Sequence, residues 1–501
     1  MSRSSLQSLL VFLLSVALYA PSLDSGFVRW DDDINLLSNE RLIESSLTEP
    51  GSLAWAFKTD YVSQWRPLNW IAYVVQHQLF GLTPSGFHLV NILLHACAAT
   101  LLLRIALRLR ARSENECPTL SWLAALAVVL WSCHPLRVEA VSWISAQAHL
   151  LAANFLLLSY LAYLKSRSFE GGNKPLLACS FVAYSLAMLS YPTGILFPAI
   201  LLLTEIGFFK TLNLSQSINP LSPPGRQAWM RLGPFAAVSI AVFGIYFLKG
   251  SSDSALYSEV ADLSDSASLQ SVADAAYLLG QFLLKTLAPF GLTPYYRGAH
   301  EVPANSASYL VSIGLLAVFA CLAAWLGKRD RRIWGASIAY ALLSLPFLGF
   351  TGPIDLPSDR YTYLNSMALA LALYWVLERS LGKGVLKIAA PAMAAALIAC
   401  SLNTIRYQSA WRSTESLMQR MLEVDPNHHA AWLFHQKIAE EALDQERFET
   451  SLEHLNTAIA LDDQRPRLYL LRSYAHHRLG NQAAAESDLQ TLERLDSKTM
   501  N

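Results

Sequence analysis

Long apolar runs recur along the chain, near residues 6–23, 87–107, 119–133, 148–165, 175–190, 192–209, 231–249, 307–327, 333–350, 361–379 and 385–402. A membrane crossing needs ~20 such residues, with a tolerance of several, so the runs predict about eleven spans. A segment inside hydrocarbon must satisfy its own backbone polar groups. Apolar runs of this length do so as helices. Composition agrees: 53% of residues are hydrophobic, only 15% are charged, and mean hydropathy is +0.30. The expected fold class is all-α, a polytopic membrane helix bundle over 1–402 followed by a second domain over 403–501.

Several function classes are disfavoured at this level. Lys+Arg and Asp+Glu are equal at 38 each, which leaves no basic surplus for nucleic acid. The six cysteines are scattered, mostly in apolar runs, without a CxxC, so neither a disulfide framework nor a zinc site is expected. The N-terminal run from Leu6 to Leu23 follows Met1-Ser2-Arg3. It is long for a cleaved leader, and Ala20-Pro21-Ser22 is a poor cleavage site, so it reads as a first span.

Basic residues collect at Arg104/Arg108/Arg110/Arg112, Lys165/Arg167/Lys174, Lys210/Arg226/Arg231, Lys328/Arg329/Arg331/Arg332 and Arg379/Lys383/Lys387. Cytoplasmic loops retain such clusters, and all five fall on one side when the N-terminus is cytoplasmic. The parity requires that 272–292, interrupted by Gly280, Gln281 and Lys285, lie at the interface or re-enter without crossing. The expected location is the inner (cytoplasmic) membrane. The outer face then carries the loop after the first span, the turn at His134, the acidic stretch Asp253/Glu259/Asp262/Asp265, the loop Asp355–Arg360 and the C-terminal tail. In the long first loop, Leu53–Phe57 and Leu68–Leu79 have helical spacing and are expected along the membrane surface.

From about 403 the apolar runs stop and charge rises. Phe448, Ser451, Leu455, Ala458 and Leu461 recur as Gln482, Ala485, Leu489, Leu492 and Leu495, a period of 34. That period and small/large alternation suit tetratricopeptide (TPR) helix pairs. A half-copy, Trp411 to Pro426, precedes them. So few copies are expected to pack on the membrane domain or a partner.

Asp31-Asp32-Asp33 stand just past the first span. One such charge in hydrocarbon costs roughly 3 kcal/mol, so they must meet water, a cation or a polar substrate. Three adjacent acids are only a weak signal for a divalent cation such as Mg²⁺ or Mn²⁺, and no metal ligand is assigned. Other polar groups gather at span ends on the same side. These are Arg66, then His88, Asn91 and His95 on one helix face, then His134 and Glu139, Gln147 and His149, and Asp359-Arg360-Tyr361. Such groups usually face a bundle interior or a wet cavity. A carboxylate could take the proton of an acceptor hydroxyl while Arg or His⁺ neutralises a departing lipid phosphate. Ion or lipid transport would use similar groups, although no inverted repeat of broken spans is visible.

The blocks Trp30-Asp31-Asp32, Trp65-Arg66-Pro67-Leu68, Phe80-Gly81-Leu82 with Gly86 through His95, His134-Pro135-Leu136-Arg137-Val138-Glu139 through Ile144, Asp359 through Leu364, and Trp411 through Asn427 follow one another in order. In this succession the chain resembles the transmembrane and TPR-containing protein O-mannosyltransferases. The resemblance implies a GT-C-type membrane glycosyltransferase, a polyprenyl-phosphate sugar as donor, and an outward TPR tail that meets the protein acceptor. Carried over, Asp31 and Asp32 would be the catalytic acids. Arg66, His88, His95, His134, Glu139 and Arg360 would bind the donor. The chain departs from the family pattern at Ala146-Gln147-Ala148-His149 and at Ser190-Tyr191-Pro192, losing a basic and an acidic group at each place. The competing expectation is a catalytically silent membrane-anchored scaffold whose tail organises envelope proteins.

Overall fold

The computed structural model describes residues 2–499, apart from 50, 60, 62–64, 111–117, 169–171, 210–221, 251–268, 350–356 and 381–384. The acidic stretch 253–265, Asp355, Arg112, Lys210 and Lys383 lie outside the described residues. The described chain is helical throughout, without strands. Each apolar run read from the sequence is helical over most of its length, and the chain is an integral membrane protein. Among the described residues six helices are long and apolar enough to cross a bilayer: Arg3–Asp24, Pro84–Arg108, Ile144–Ser166, Pro223–Tyr246, Ala307–Gly327 and Ala389–Trp411. Pro118–Ser132 and Pro135–Ser142 would form a seventh, bent by 60° at the His134 turn. Lys174–Ser190 and Pro192–Gly207 are shorter apolar helices. Arg331–Ser344 and Thr362–Ser380 are less apolar because they carry buried polar groups, among them Ser337, Ser344, Asn365 and Ser366.

Helix starts follow local chemistry. Ser2, Asn173, Ser306 and Asp330 each accept a hydrogen bond from a first-turn amide, satisfying donors that the helix itself cannot. Inside the bundle the one deeply buried acid of the Pro192–Gly207 segment, Glu205, is fully partnered. It accepts from Tyr163 Oη at 2.6 Å and Arg167 Nε at 2.7 Å, with Arg231 at 3.5 Å.

The Leu269–Leu287 helix, expected at the interface, is not among the candidate spans and packs as a hairpin on Ala307–Gly327. Gln281 donates to Ser308 and Ser312 across the pair, at 3.0 and 2.7 Å. The contact is close because residue 280 is glycine: a Cβ there would lie 2.3 Å from the Ser312 carbonyl oxygen. Gly280→Ala must therefore push the hairpin apart, at a cost of ~1–3 kcal/mol. A lower unfolding midpoint of the detergent-solubilised protein would register this, and an unchanged midpoint would contradict the packing.

The last apolar run does not end at 402. The Val385–Gln408 helix continues through it, turns at Ser409–Trp411, and leads into Thr414–Val424. Ala431–Asp444 pairs with Phe448–Leu461, and Pro466–Arg478 with Gln482–Thr499. This tail packs against the bundle: Trp411 stacks on Trp143 at 5.6 Å, and Asp425 binds Arg297 at 2.6 Å.

Candidate functional site

After the first helix the chain turns through Ala20–Asp24 and enters a loop that is fastened on several sides. Ser22 Oγ bonds Ser142 and Gln408, at 2.8 and 3.0 Å, and the Gly26 amide donates to the Arg412 carbonyl at 2.9 Å. His88 supports the same stretch, its Nε2 lying 3.4 Å from the Gly26 carbonyl oxygen.

The three acids of this loop have different environments. Asp32 is 1% exposed and saturated. Its Oδ2 accepts from the Val28 amide at 3.0 Å, and its Oδ1 accepts from the Ser145 amide and hydroxyl at 3.0 and 2.5 Å. The network continues outward, because Ser145 Oγ accepts from Asn35 Nδ2 at 3.0 Å and Asn35 Oδ1 accepts from Arg66 Nη2 at 2.9 Å. Asp32 thus anchors the hydroxyl and amide that in turn hold Arg66. Burial pushes its acid constant up to about 7, opposed by the bonds from Ser145 and Val28.

Asp31 keeps solvent access; its carbonyl accepts from the Asn35 amide at 2.8 Å, but its carboxylate has no hydrogen bond or ion pair among the described residues. It is nonetheless ringed by protein, and loss of surrounding water pushes its acid constant up to about 6, with Arg360 and Arg66 pulling the other way. A carboxylate with no bonded partner among the described residues, within electrostatic reach of two guanidinium groups, is the central feature of the site. Asp33 is tied to the tail through Lys437 at 3.8 Å.

Both arginines are held from behind. Arg66 lies over the Trp70 ring at 4.6 Å and keeps its Nε without a partner among the described residues. Arg360 pairs with the fully buried Glu139, whose other oxygen accepts the Arg360 amide at 3.0 Å. Its guanidinium also faces the Tyr361 and Trp143 rings, at 4.6 and 5.2 Å. Glu139 therefore serves as the seat of Arg360.

Two of the histidines expected in the pocket have their bonded partners outside the first loop. His95 sits two turns below His88 on the Pro84–Arg108 helix, bonding Tyr363 Oη at 2.8 Å and Ser132 Oγ at 2.9 Å within the core. His134 caps its own turn by accepting from the Leu136 amide at 3.3 Å, and its Nε2 meets the Thr286 carbonyl at 3.0 Å. Seven residues on a helix displace a side chain by ~10 Å along the axis, so His88 and His95 meet different partners although they share a helical face.

The sequence reading placed His149 among the polar groups at span ends and Tyr191 only as a departure, and connected neither to the other. The fold brings them together, ring centroids 4.4 Å apart, with Tyr361 at 6.0 Å and Phe347 at 6.3 Å from His149. The two substituted positions thus form one aromatic wall beside Arg360. Ser145 and Asn35 were also missed; small polar residues carry no signal until the acid that they serve is seen. Among the described residues no group of three or more His, Cys, Asp or Glu is placed to hold a metal ion.

One turn beyond Arg360 an apolar cleft begins. It is half-open and spans about 940 Å³, open solvent included, lined by residues such as Leu364, Leu343, Leu156, Phe197 and Leu371, with Arg331 and Arg332 also on its wall.

No family model matches the chain. Curated proteins do. It is 30% identical over 188 residues to the protein O-mannosyl-transferase Tmtc2 of Drosophila melanogaster, covering 34% of this chain and 18% of that protein. It is 34% identical over 183 residues to TMTC4 of Mus musculus, covering 33% and 24%. With TMTC3 of Homo sapiens it shares 23% identity over 452 residues, covering 83% and 47%. The chain thus spans less than half the length of these relatives. Among solved structures, ArnT from Cupriavidus metallidurans bound to undecaprenyl phosphate covers 95% of this chain and 78% of its own, at 16% identity and a TM-score of 0.37. That superposition is too loose to bear on the site. The chain is similar to the transmembrane and TPR-containing O-mannosyltransferases, the family that its sequence blocks resemble.

Proposed function

We propose that the chain is a membrane glycosyltransferase that moves a sugar, mannose in the first instance, from a polyprenyl-phosphate donor to hydroxyl groups of extracytoplasmic proteins. The observation that carries this reading is the Asp31 carboxylate, unbonded among the described residues and within electrostatic reach of Arg66 and Arg360. The lipid phosphate would sit between the two guanidinium groups, with the isoprenoid chain in the cleft. Asp31 would take the proton of the acceptor hydroxyl as its oxygen bonds to the anomeric carbon. The bond from that carbon to the phosphate oxygen breaks, and the phosphate leaves with its charge neutralised by Arg66 and Arg360. Attack opposite the leaving group inverts the anomeric centre. The site then faces outward in the inner (cytoplasmic) membrane, with the N-terminus cytoplasmic. The tail, two TPR-like helix pairs and a leading half, would meet the acceptor.

The test is transfer of labelled mannose from polyprenyl-phosphate mannose to envelope protein in membranes containing the chain, followed across pH. A base must be ionised to act, and the Asp31 acid constant is raised to about 6. Transfer should therefore fall as pH drops through about 6, where an ordinary solvated aspartate would stay ionised down to ~4. Absence of label with well-inserted protein, after other lipid-linked sugars are tried, would favour the scaffold reading and make the tail the functional part.

A further inference from the structure

Residues 26–33 of the first loop are gripped by the C-terminal tail. At Gly26 the amide donates to the Arg412 carbonyl, and a Cβ on this residue would already lie 3.5 Å from that oxygen. The Arg29 amide donates to Thr414 Oγ1 at 3.0 Å, and its guanidinium pairs with Asp444 and, at 3.9 Å, with Glu440. Trp30 meets Tyr295 edge-on at 5.6 Å, and Tyr295 meets Phe434 of the tail at 6.1 Å. Lys437 Nζ stands 3.8 Å from Asp33 and 3.7 Å from Glu440. These contacts fall on both sides of Asp31 and come from residues some four hundred positions away.

We propose that the Ala431–Asp444 helix is a working part of the site. It clamps residues 29–33, and Lys437 is the positioning residue that holds the Asp31–Asp33 run within reach of Arg66 and Arg360. The proposal rests on the glycosyltransfer reading and gives the tail a role besides meeting an acceptor. Adjacent carboxylates repel one another, so a loop carrying three of them tends to splay unless counter-charges draw it in. Asp32 is drawn inward by Ser145 and Val28, and Asp33 is drawn outward by Lys437, which leaves Asp31 between two fixed points. Exposed ion pairs would be too weak for this. Here the side chains of Glu440 and Lys437 are 4% and 20% exposed, and Glu440 is further bonded by Gln436 and Arg467. The charged groups facing Asp31 are Arg360 and Arg66 from the bundle, Asp32 and Asp33 from its own loop, and Lys437 from the tail.

The experiment compares the full chain with Lys437→Met, Lys437→Arg and Arg29→Ala in membranes, using two readouts. Hydrogen exchange of the amides of 27–38 needs no activity; it should quicken several-fold in Lys437→Met and Arg29→Ala and return to the original rate in Lys437→Arg. Transfer from polyprenyl-phosphate mannose should show kcat about tenfold lower in Lys437→Met, with both KM values unchanged, because a misplaced base costs rate and not binding. Removing a cation near Asp31 raises its acid constant, so the acid limb should also move to higher pH, and Lys437→Arg should restore both. Unchanged loop exchange would overturn the clamp. A raised acceptor KM at constant kcat would overturn the positioning role and make Lys437 an acceptor contact. A wild type that transfers no lipid-linked sugar while its loop stays protected would sink the glycosyltransfer reading and the positioning role with it, the exchange arm alone then supporting the clamp.

Discussion

Asp31→Asn is expected to lower sugar transfer by ~10²–10⁴-fold with little change in KM or in the amount of inserted protein, the usual scale for losing a general base. Its carboxylate is committed to no other group among the described residues, so the amide removes chemistry without disturbing packing. Asp32→Asn should behave differently. Three donors converge on the Asp32 carboxylate, two from Ser145 and one from Val28. An amide must turn its NH₂ toward one of those sides, where donor meets donor and a buried group goes unsatisfied at ~1–3 kcal/mol. The variant should unfold more easily and free the Ser145–Asn35–Arg66 chain, so its activity loss should come with lower thermal stability. Measuring transfer beside the unfolding midpoint for both variants separates the roles. Equal activity losses at unchanged stability would mean that the two acids act together in the chemistry.

Glu139→Ala should give the largest loss of stability. Glu139 is fully buried and takes both the guanidinium and the backbone amide of Arg360. Without it, Arg360 loses the carboxylate bonded to its guanidinium and amide, and breaking a buried pair by removing one partner costs ~3–5 kcal/mol. The double variant Glu139→Ala/Arg360→Met removes the orphaned charge and should recover much of the stability while remaining inactive. Fluorescence-detected size exclusion over a temperature series reads both outcomes. A single variant as stable as the wild type would show that Arg360 is solvated, and would remove the basis for placing it in a dry phosphate site.

The two predictions also mark where the sequence was legible. Helical class, membrane insertion and a polar cluster at span ends followed from run length and from the cost of charge in hydrocarbon, properties that each segment carries alone. Asp31, Arg66 and Arg360 could be nominated for the same reason. The division of labour inside Asp31-Asp32-Asp33 could not, because three identical side chains differ only in what the fold sets against them: two arginines, one serine and one lysine. His95 and His134 looked like site residues by spacing, yet depth along a helix and a local cap decide their partners. His149 and Tyr191 looked like two separate losses and turned out to be neighbours.

What the sequence by itself determined is therefore the material of the molecule: apolar helices for a bilayer, a polar tail with a 34-residue period, and an acid run that cannot enter lipid. Tertiary structure alone decided which acid stays free, which arginines face it, and that a lysine of the tail reaches the first loop. Local sequence sets how each residue meets water or lipid. Electrostatic environment is set by residues tens to hundreds of positions away, and only packing brings those together.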